Sequence, residues 1–267
     1  MSIPPILLVG CGRMGSAMLS GWREQGLAAS VAVDPASAAA QWAGPDLAVV
    51  AEVGAIPEGF APAAVVFAVK PQNAAETLPL YRRFVGKAVF LSIMAGRTIG
   101  GIRALLGDAA ALVRAMPNTP AAVRQGVTVA CPGPGVDTPQ RVLCERLLQA
   151  IGVVAWVDAE GLLDPVTAVS GSGPAYVFLL AELMEQAARE QGIPADLARL
   201  LARQTVSGSG ALLAASSEDA AALRVAVTSP GGTTERALAV LMAAEAWPAA
   251  VSTAIAAATV RSRELAK

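Results

Sequence analysis

The sequence predicts an α/β fold in which an N-terminal doubly wound sheet is followed by an all-helical C-terminal domain. Three observations predict it. Short β-rich runs alternate with helical stretches through about the first 155 residues, the order that builds a sheet with helices on both faces. Four of those runs are almost continuously apolar, as parallel strands covered on both faces must be. Beyond residue 162 the apolar residues recur only at helical spacing.

Taken in order, "ILLVG" (6–10), "SVAVD" (30–34), "AAVVFAV" (63–69) and "AVFLSI" (88–93) read as the four buried strands, with "ALVRAM" (111–116) and "GVTVA" (126–130) as two more. Helical patterns lie between several of them, at 14–26, 73–83, 98–106 and 138–151. The character changes after "GVVAWVD" (152–158), which divides the chain into domains 1–158 and 159–267. In the second domain "AYVFLLAELMEQAAREQG", "DLARLLARQTVSGSGALLAA", "EDAAALRVAV" and "WPAAVSTAIAAATVRSREL" all carry helical spacing. Breaks are expected at 192–194, at 216–217 and at the turn 229–232, where Gly, Pro and Ser interrupt the pattern. No internal repeat or low-complexity linker stands out.

The first strand runs directly into "VGCGRMGSAM", which supplies Gly10-x-Gly12-x-x-Gly15 at the head of a helix. That order is what a dinucleotide requires. Gly10 permits a tight turn, Gly12 lets the backbone approach a pyrophosphate, and Gly15 allows the helix to pack on the strand. The helix N-terminus, with Arg13 and Met14 in its first turn, then faces the phosphates. About 20 residues on, Asp34 ends the second strand, which completes a Rossmann-type fingerprint. Asp34 has two readings. It could bond the adenosine ribose 2′-hydroxyl and repel a 2′-phosphate, or it could start a turn, since Pro35 follows it. NADPH and NADH both stay open as cofactor.

Composition narrows the chemistry. The chain has 267 residues, 54% of them hydrophobic and 15% charged, so a large buried surface and a subunit interface are expected. A formal net charge of −1 offers nothing for nucleic acid or an anionic membrane. No apolar run reaches the ~18 residues of a membrane span; "WPAAVSTAIAAATV" is shorter and broken by Ser and Thr. The opening "MSIPPILLVG" lacks a basic segment, so no signal peptide is expected. Cys11, Cys131 and Cys144 form no C-x-x-C motif, and Cys11 reads as a small fingerprint residue rather than a reactive thiol. These features fit a soluble protein of the cytoplasm. There is no histidine at all, which excludes Ser-His-Asp and Cys-His catalysis and histidine-based metal sites. No metal is expected, and the chemistry must come from a cofactor, a hydroxyl or backbone amides.

Several further stretches belong together: "FAVKPQ" (67–72), "SIMAG" (92–96), "RAMPNTP" (114–120), "SGSGPAYVF" (170–178), "SPGGTT" (229–234) and "RSREL" (261–265). With the fingerprint, in this order and across nearly the whole chain, they resemble the pyrroline-5-carboxylate reductase family. The resemblance implies reduction of the cyclic imine 1-pyrroline-5-carboxylate to L-proline by NAD(P)H, the last step of proline synthesis. It implies a Rossmann domain, a helical dimerisation domain, a homodimer and often larger assemblies of dimers. Two positions depart from the family. Its usual Asn after the third strand is missing from "VVAEVGAIP", and Glu235 stands after the Thr pair where an apolar residue is usual.

Hydride transfer to a C=N bond needs a grip on the substrate carboxylate and a donor near the ring nitrogen. The glycines of "SPGGTT", Gly231 and Gly232, free successive N–H groups to converge on an anion, and a helix dipole adds positive charge. The resemblance implies that Ser229 and the amides of Gly232 and Thr233 hold the carboxylate, while the Thr234 hydroxyl, the catalytic group, reaches the ring nitrogen. The same turn read alone is a plain helix cap. "SGSGPAY" places Gly171, Ser172, Gly173 and Pro174 at the head of a long helical run. It is either a helix start with Pro174 in its first turn, or a close backbone approach to substrate by Ser172 and Gly173 or to a partner subunit. "VKP" and "MPNTP" follow strand ends, where open α/β sheets bind ligands. By resemblance Lys70, Pro71 and Asn118 line the nicotinamide side, and Ala95 and Gly96 leave room for the ring. As a surface charge Lys70 would have no such role.

Three rival readings remain. A β-hydroxyacid dehydrogenase shares the opening motif but uses a lysine in its helical domain, and here the helical half has none before Lys267. An imine reductase of broader specificity would not need "SPGGTT". A non-catalytic dinucleotide-sensing protein would bind cofactor without turnover.

Overall fold

The structure, a computed structural model, describes residues 2–266. It falls into two compact units. One runs as far as Gly171 and takes back the chain from Ala258 onward, and the other is Ser172–Ala257.

The first unit is a single eight-stranded sheet flanked by helices. In chain order its elements are β1 (Ile6–Val9), α1 (Arg13–Glu24), β2 (Ser30–Val33), β3 (Leu47–Val50), β4 (Ala64–Phe67), α2 (Ala74–Thr77), β5 (Val89–Ser92) and α3 (Ile99–Leu106). There follow β6 (Leu112–Met116), β7 (Gly126–Pro132), α4 (Thr138–Gln149), β8 (Gly152–Trp156) and the short α5 (Leu163–Val166). The strand order is β3-β2-β1-β4-β5-β6-β7-β8, parallel throughout except where β6 meets β7. The chain moves outward from β1 to β3, then returns to the far side of β1 with β4. That reversal creates the switch point at which open α/β sheets bind ligands.

Successive residues of β1 feed opposite faces, as the period of a strand demands. Ile6 and Leu8 pack with Met18, Leu19 and Trp22 of α1 and with Leu147 and Leu148 of α4. Leu7 and Val9 pack with Leu78, Tyr81 and Phe84 and with Ile99, Ile102 and Leu106 of α3. Trp22 carries a polar atom into the first layer and satisfies it, its Nε1–H donating to the Leu147 carbonyl at 2.9 Å. All six predicted strands are present, and the sheet is doubly wound.

Two strands escaped the sequence reading, β3 and β8, and both are edges of the sheet. Both are apolar in sequence, LAVV and GVVAW, but as edges they face solvent on part of their surface; Val153 of β8 is 70% exposed. The helix expected at 73–83 is one turn of α-helix (α2) between 3-10 segments at Pro71–Asn73 and Leu78–Phe84. Pro79 accounts for this, because it lacks the N–H that a longer α-helical ladder would use.

The second unit comprises α6 (Gly173–Glu190), α7 (Ala195–Ala215), α8 (Ala220–Ala226), α9 (Thr233–Leu241) and the first part of α10 (Trp247–Leu265). The breaks fall at the predicted Gly192–Pro194, Ser216–Ser217 and 229–232 positions, and no strand follows residue 162 among the described residues. Within this unit only Ala198 and Ala202 are buried among the described residues, whereas Phe178 is 66% and Leu200 60% exposed.

One expectation needs correction. The helical run Glu160–Glu190 is long and apolar enough, by length and composition, to cross a membrane. The sequence reading weighed "WPAAVSTAIAAATV" and passed over this run, which Thr, Ser, Gly and Pro punctuate. In the fold those residues do not stop the helix. Thr167 and Ser170 turn their hydroxyls back onto the carbonyls of Leu163 and Val166, at 2.7 and 3.0 Å.

Candidate active site

The fingerprint glycines each meet a distinct constraint. Gly10 has φ +99°, and a side chain there would press on the Ala68 carbonyl just beyond β4. A Cβ on Gly15 would fall on the Gly10 carbonyl oxygen. Gly12 differs, with nothing within 4 Å of the position a Cβ would take. It is the N-cap of α1 and offers no side chain to the free N–H groups of the first turn, which begins with Arg13 and Met14. Open space before an uncapped helix at the switch point suits a pyrophosphate.

Asp34 makes both of its local bonds to backbone. Its Oδ1 accepts from the Ala36 N–H at 2.8 Å, which is the turn predicted from Asp-Pro. Its Oδ2 accepts from the Cys11 N–H at 2.6 Å, a contact the sequence did not suggest, and so ties the second strand to the glycine loop. Burial, and after it the Asp34 charge, push the Cys11 thiol up to about 11. At neutral pH Cys11 is therefore a thiol and a poor nucleophile.

The loops after β4 and β5 are linked by a hydrogen bond. Lys70 is exposed and caps the 3-10 turn Pro71–Asn73, and the Pro71 carbonyl accepts from Arg97 Nε at 2.9 Å. This joins the Lys70-Pro71 loop to the Ala95-Gly96 loop. Gly96 has φ +69° and packs against the Leu265 carbonyl, 3.0 Å from where its Cβ would stand. Asn118 fixes the next loop, its Oδ1 accepting from the Val127 N–H at 2.9 Å. Beneath them Arg114 of β6 is buried at 4% exposure, with Nη1 2.8 Å from Glu160 Oε1. The same oxygen accepts from the Ile99 N–H at 2.7 Å, at the start of α3. One carboxylate thus holds the middle of a strand and a helix start. Sequence reasoning missed Glu160, since a partner 46 residues away leaves no periodic signal.

Glu160→Ala would strand the buried guanidinium and is expected to destabilise the first unit by about 3 kcal/mol. Urea denaturation measures this, and a Glu160→Leu/Arg114→Met pair should recover most of the loss.

Thr167–Gly171 is a π-helical segment leading into α6, and Pro174 lies in the first turn of α6. A Cβ on Gly171 would come 2.7 Å from the Met116 methyl, so that glycine permits a close approach within the first unit. Ser172 is the N-cap of α6 with no side-chain cap bond, and Gly173 has open space around its Cβ position.

In the second unit, residues 229–232 form a tight turn. Gly231 has φ +71° and open space at its Cβ position, and the Gly232 N–H donates to the Ser229 carbonyl at 3.0 Å. Gly232 is the N-cap of α9 and has no side chain to cap it, so Thr233 and Thr234 head the helix. The Gly231 N–H donates to Glu235 Oε2 at 2.9 Å. Of the two amides expected to hold a carboxylate, Thr233 stands at the helix head and Gly232 closes the turn.

The doubly wound sheet, its glycine loop and the uncapped α1 define a dinucleotide-dependent oxidoreductase. Residues 5–96 match the family model described as NADP oxidoreductase, coenzyme F420-dependent, and residues 160–265 match pyrroline-5-carboxylate reductase dimerisation. A pyrroline-5-carboxylate reductase of Pseudomonas aeruginosa is 39% identical, the alignment covering 100% of this chain and 98% of that one. A Synechocystis enzyme of the same name is 38% identical over 76% of this chain and 75% of its own. The solved pyrroline-5-carboxylate reductase of Coxiella burnetii superposes with a TM-score of 0.90 at 31% identity, covering 100% of both chains. A Plasmodium falciparum pyrroline carboxylate reductase with NADP bound gives 0.84 at 26% identity, again over 100% of both. The chain belongs to the pyrroline-5-carboxylate reductase family. Its helical part is a dimerisation domain, and self-association accounts for the apolar side chains it leaves exposed.

Proposed function

We propose that this chain reduces the C=N bond of 1-pyrroline-5-carboxylate to give L-proline, with NADPH or NADH as the donor. The observation that carries the reading is the glycine turn 229–232 at the uncapped head of α9, intact in a member of this family. The bound nicotinamide supplies a hydride to the imine carbon. Gly12, Arg13 and Met14 hold the pyrophosphate at the helix N-terminus, Gly10 and Gly15 allow the turn and the packing that place it there, and Lys70, Pro71, Ala95, Gly96 and Asn118 line the nicotinamide side. Ser229, Gly231, Gly232 and Thr233 receive the substrate carboxylate, for which Gly232 exchanges its bond to Ser229. Ser172 and Gly173 approach the substrate, and the Thr234 hydroxyl orients the ring nitrogen or relays its proton. The 1-pyrroline nitrogen is basic and can arrive protonated, so a chain without histidine lacks nothing the reaction needs.

The domain division at 158–159, a homodimer that joins into larger assemblies, a cytoplasmic location and the absence of nucleic-acid or membrane partners belong to the same proposal. The net charge of −1 supports it, as does the dimerisation family model, which spans the whole apolar run Glu160–Glu190.

The test is oxidation of NADPH and of NADH, separately, with 1-pyrroline-5-carboxylate and with carboxylate-free 1-pyrroline. Turnover that depends on the carboxylate supports the reductase and the anion-binding turn together. Equal rates on both imines would make the enzyme a broader imine reductase, and cofactor binding without turnover would make it a sensor. Asp34→Ser removes a negative charge beside the ribose and should shift the NADPH/NADH ratio of kcat/KM by about tenfold toward NADPH, a change worth about 1.4 kcal/mol. An unchanged ratio would leave Asp34 as the anchor of the Cys11 amide and the 34–36 turn alone.

A further inference from the structure

Glu235 occupies a telling position. It is the third residue of α9, and its carboxylate reaches back to accept the Gly231 N–H at 2.9 Å. In a capping box the carboxylate at this position takes the N-cap N–H. Here that N–H, of Gly232, goes to the Ser229 carbonyl, the N-cap has no side chain, and the carboxylate reaches one residue further back. The amide that Glu235 takes belongs to the turn assigned above to the substrate carboxylate. Gly231 is exposed, with open space beyond it, so the bond faces a region a small anion can enter. The protein's own carboxylate thus sits where an incoming one would bind, with the same charge and the same acceptor chemistry.

We propose that Glu235 is a specificity-determining residue, an internal stand-in for the substrate carboxylate that must leave the Gly231 N–H before an anionic substrate can take it. The inference rests on the reading of the turn as a carboxylate site. Its physical content is competition. Two carboxylates cannot share one N–H donor, and at such separation they repel each other. An anionic imine therefore meets a turn that is already neutralised, and its KM is raised. A carboxylate-free imine has no use for the amide and meets no such competition. Glu235 narrows the enzyme's discrimination between the two classes of imine and keeps the turn satisfied when substrate is absent.

Glu235→Gln separates charge from structure, since glutamine keeps an oxygen acceptor at the same reach. Steady-state kinetics on the full chain, at saturating NADPH, should show KM for 1-pyrroline-5-carboxylate lowered about fivefold, the scale of one unit-charge interaction at contact distance in water. Its kcat should stay within about twofold, as a charge term that acts on binding alone requires. KM for 1-pyrroline should not move. Glu235→Ala should lower the anionic KM as well, which a purely capping role would not do. A wild-type preference for the carboxylated imine, with its KM unchanged or raised in Glu235→Gln, overturns this inference alone. Equal kcat/KM on the two imines by the wild-type chain removes the carboxylate site itself, and this inference with it.

Discussion

Gly15→Ala is expected to destabilise the first unit by about 3 kcal/mol and to lower its melting temperature by roughly 10 °C. The new methyl would land on the Gly10 carbonyl oxygen, with Ala68 Cβ 3.2 Å away on another side. Neither neighbour is the end of a flexible side chain, so the strain falls on backbone that also ends β1. Relief would require α1 to move off the sheet, against the packing of Met18, Leu19 and Trp22. Cofactor affinity should fall with stability, because the same movement displaces the first-turn N–H groups. Gly12→Ala supplies the contrast. Its methyl has no protein atom within 4 Å, so the melting temperature should hold while cofactor affinity drops. Thermal melts paired with NADPH titrations separate the two. A Gly15→Ala protein that melts like the wild type would show that α1 is free to adjust, and the assignment of Gly15 to helix packing would fall.

That contrast also shows which features were legible in the sequence. The glycine fingerprint could be read because its logic is local: a strand, a turn and a helix start lie within ten residues. The four strands β1, β2, β4 and β5 could be read because burial on both faces makes them continuously apolar. The edges β3 and β8, Leu47–Val50 and Gly152–Trp156, carry apolar runs as well yet face solvent in part, and the run alone did not mark them as strands. Contacts between distant residues were equally silent. Nothing in composition or spacing points Arg114 at Glu160 or Asp34 at the Cys11 amide, because the topology of the sheet creates those pairs. Glu235 is a different case. A carboxylate three positions into a helix is a local pattern from which capping chemistry anticipates a reach back toward the turn, but to the Gly232 N–H; that it takes the Gly231 N–H instead follows from the bond Gly232 makes to Ser229.

Thr234→Ala is expected to lower kcat by about 100-fold while leaving NADPH affinity within about twofold, the effect of removing one well-placed donor from a transition state. Thr234 is the second residue of α9 and half-buried. Its backbone N–H belongs to the free first turn of the helix and survives the substitution, so the turn keeps its amides and only the hydroxyl is lost. Helix propensity will not confuse the result, because alanine favours the helix at least as well as threonine. The loss should therefore appear in kcat rather than in folding, and Thr234→Ser should restore most of the rate by returning a hydroxyl at nearly the same place. The rate profile with pH offers an independent reading. If the hydroxyl relays the proton of the ring nitrogen, the variant should depend more steeply on the protonation of free substrate, which then has to arrive fully charged. Equal losses of kcat and of NADPH affinity, or no rescue by serine, would make Thr234 a structural residue of the helix head and leave the proton to water.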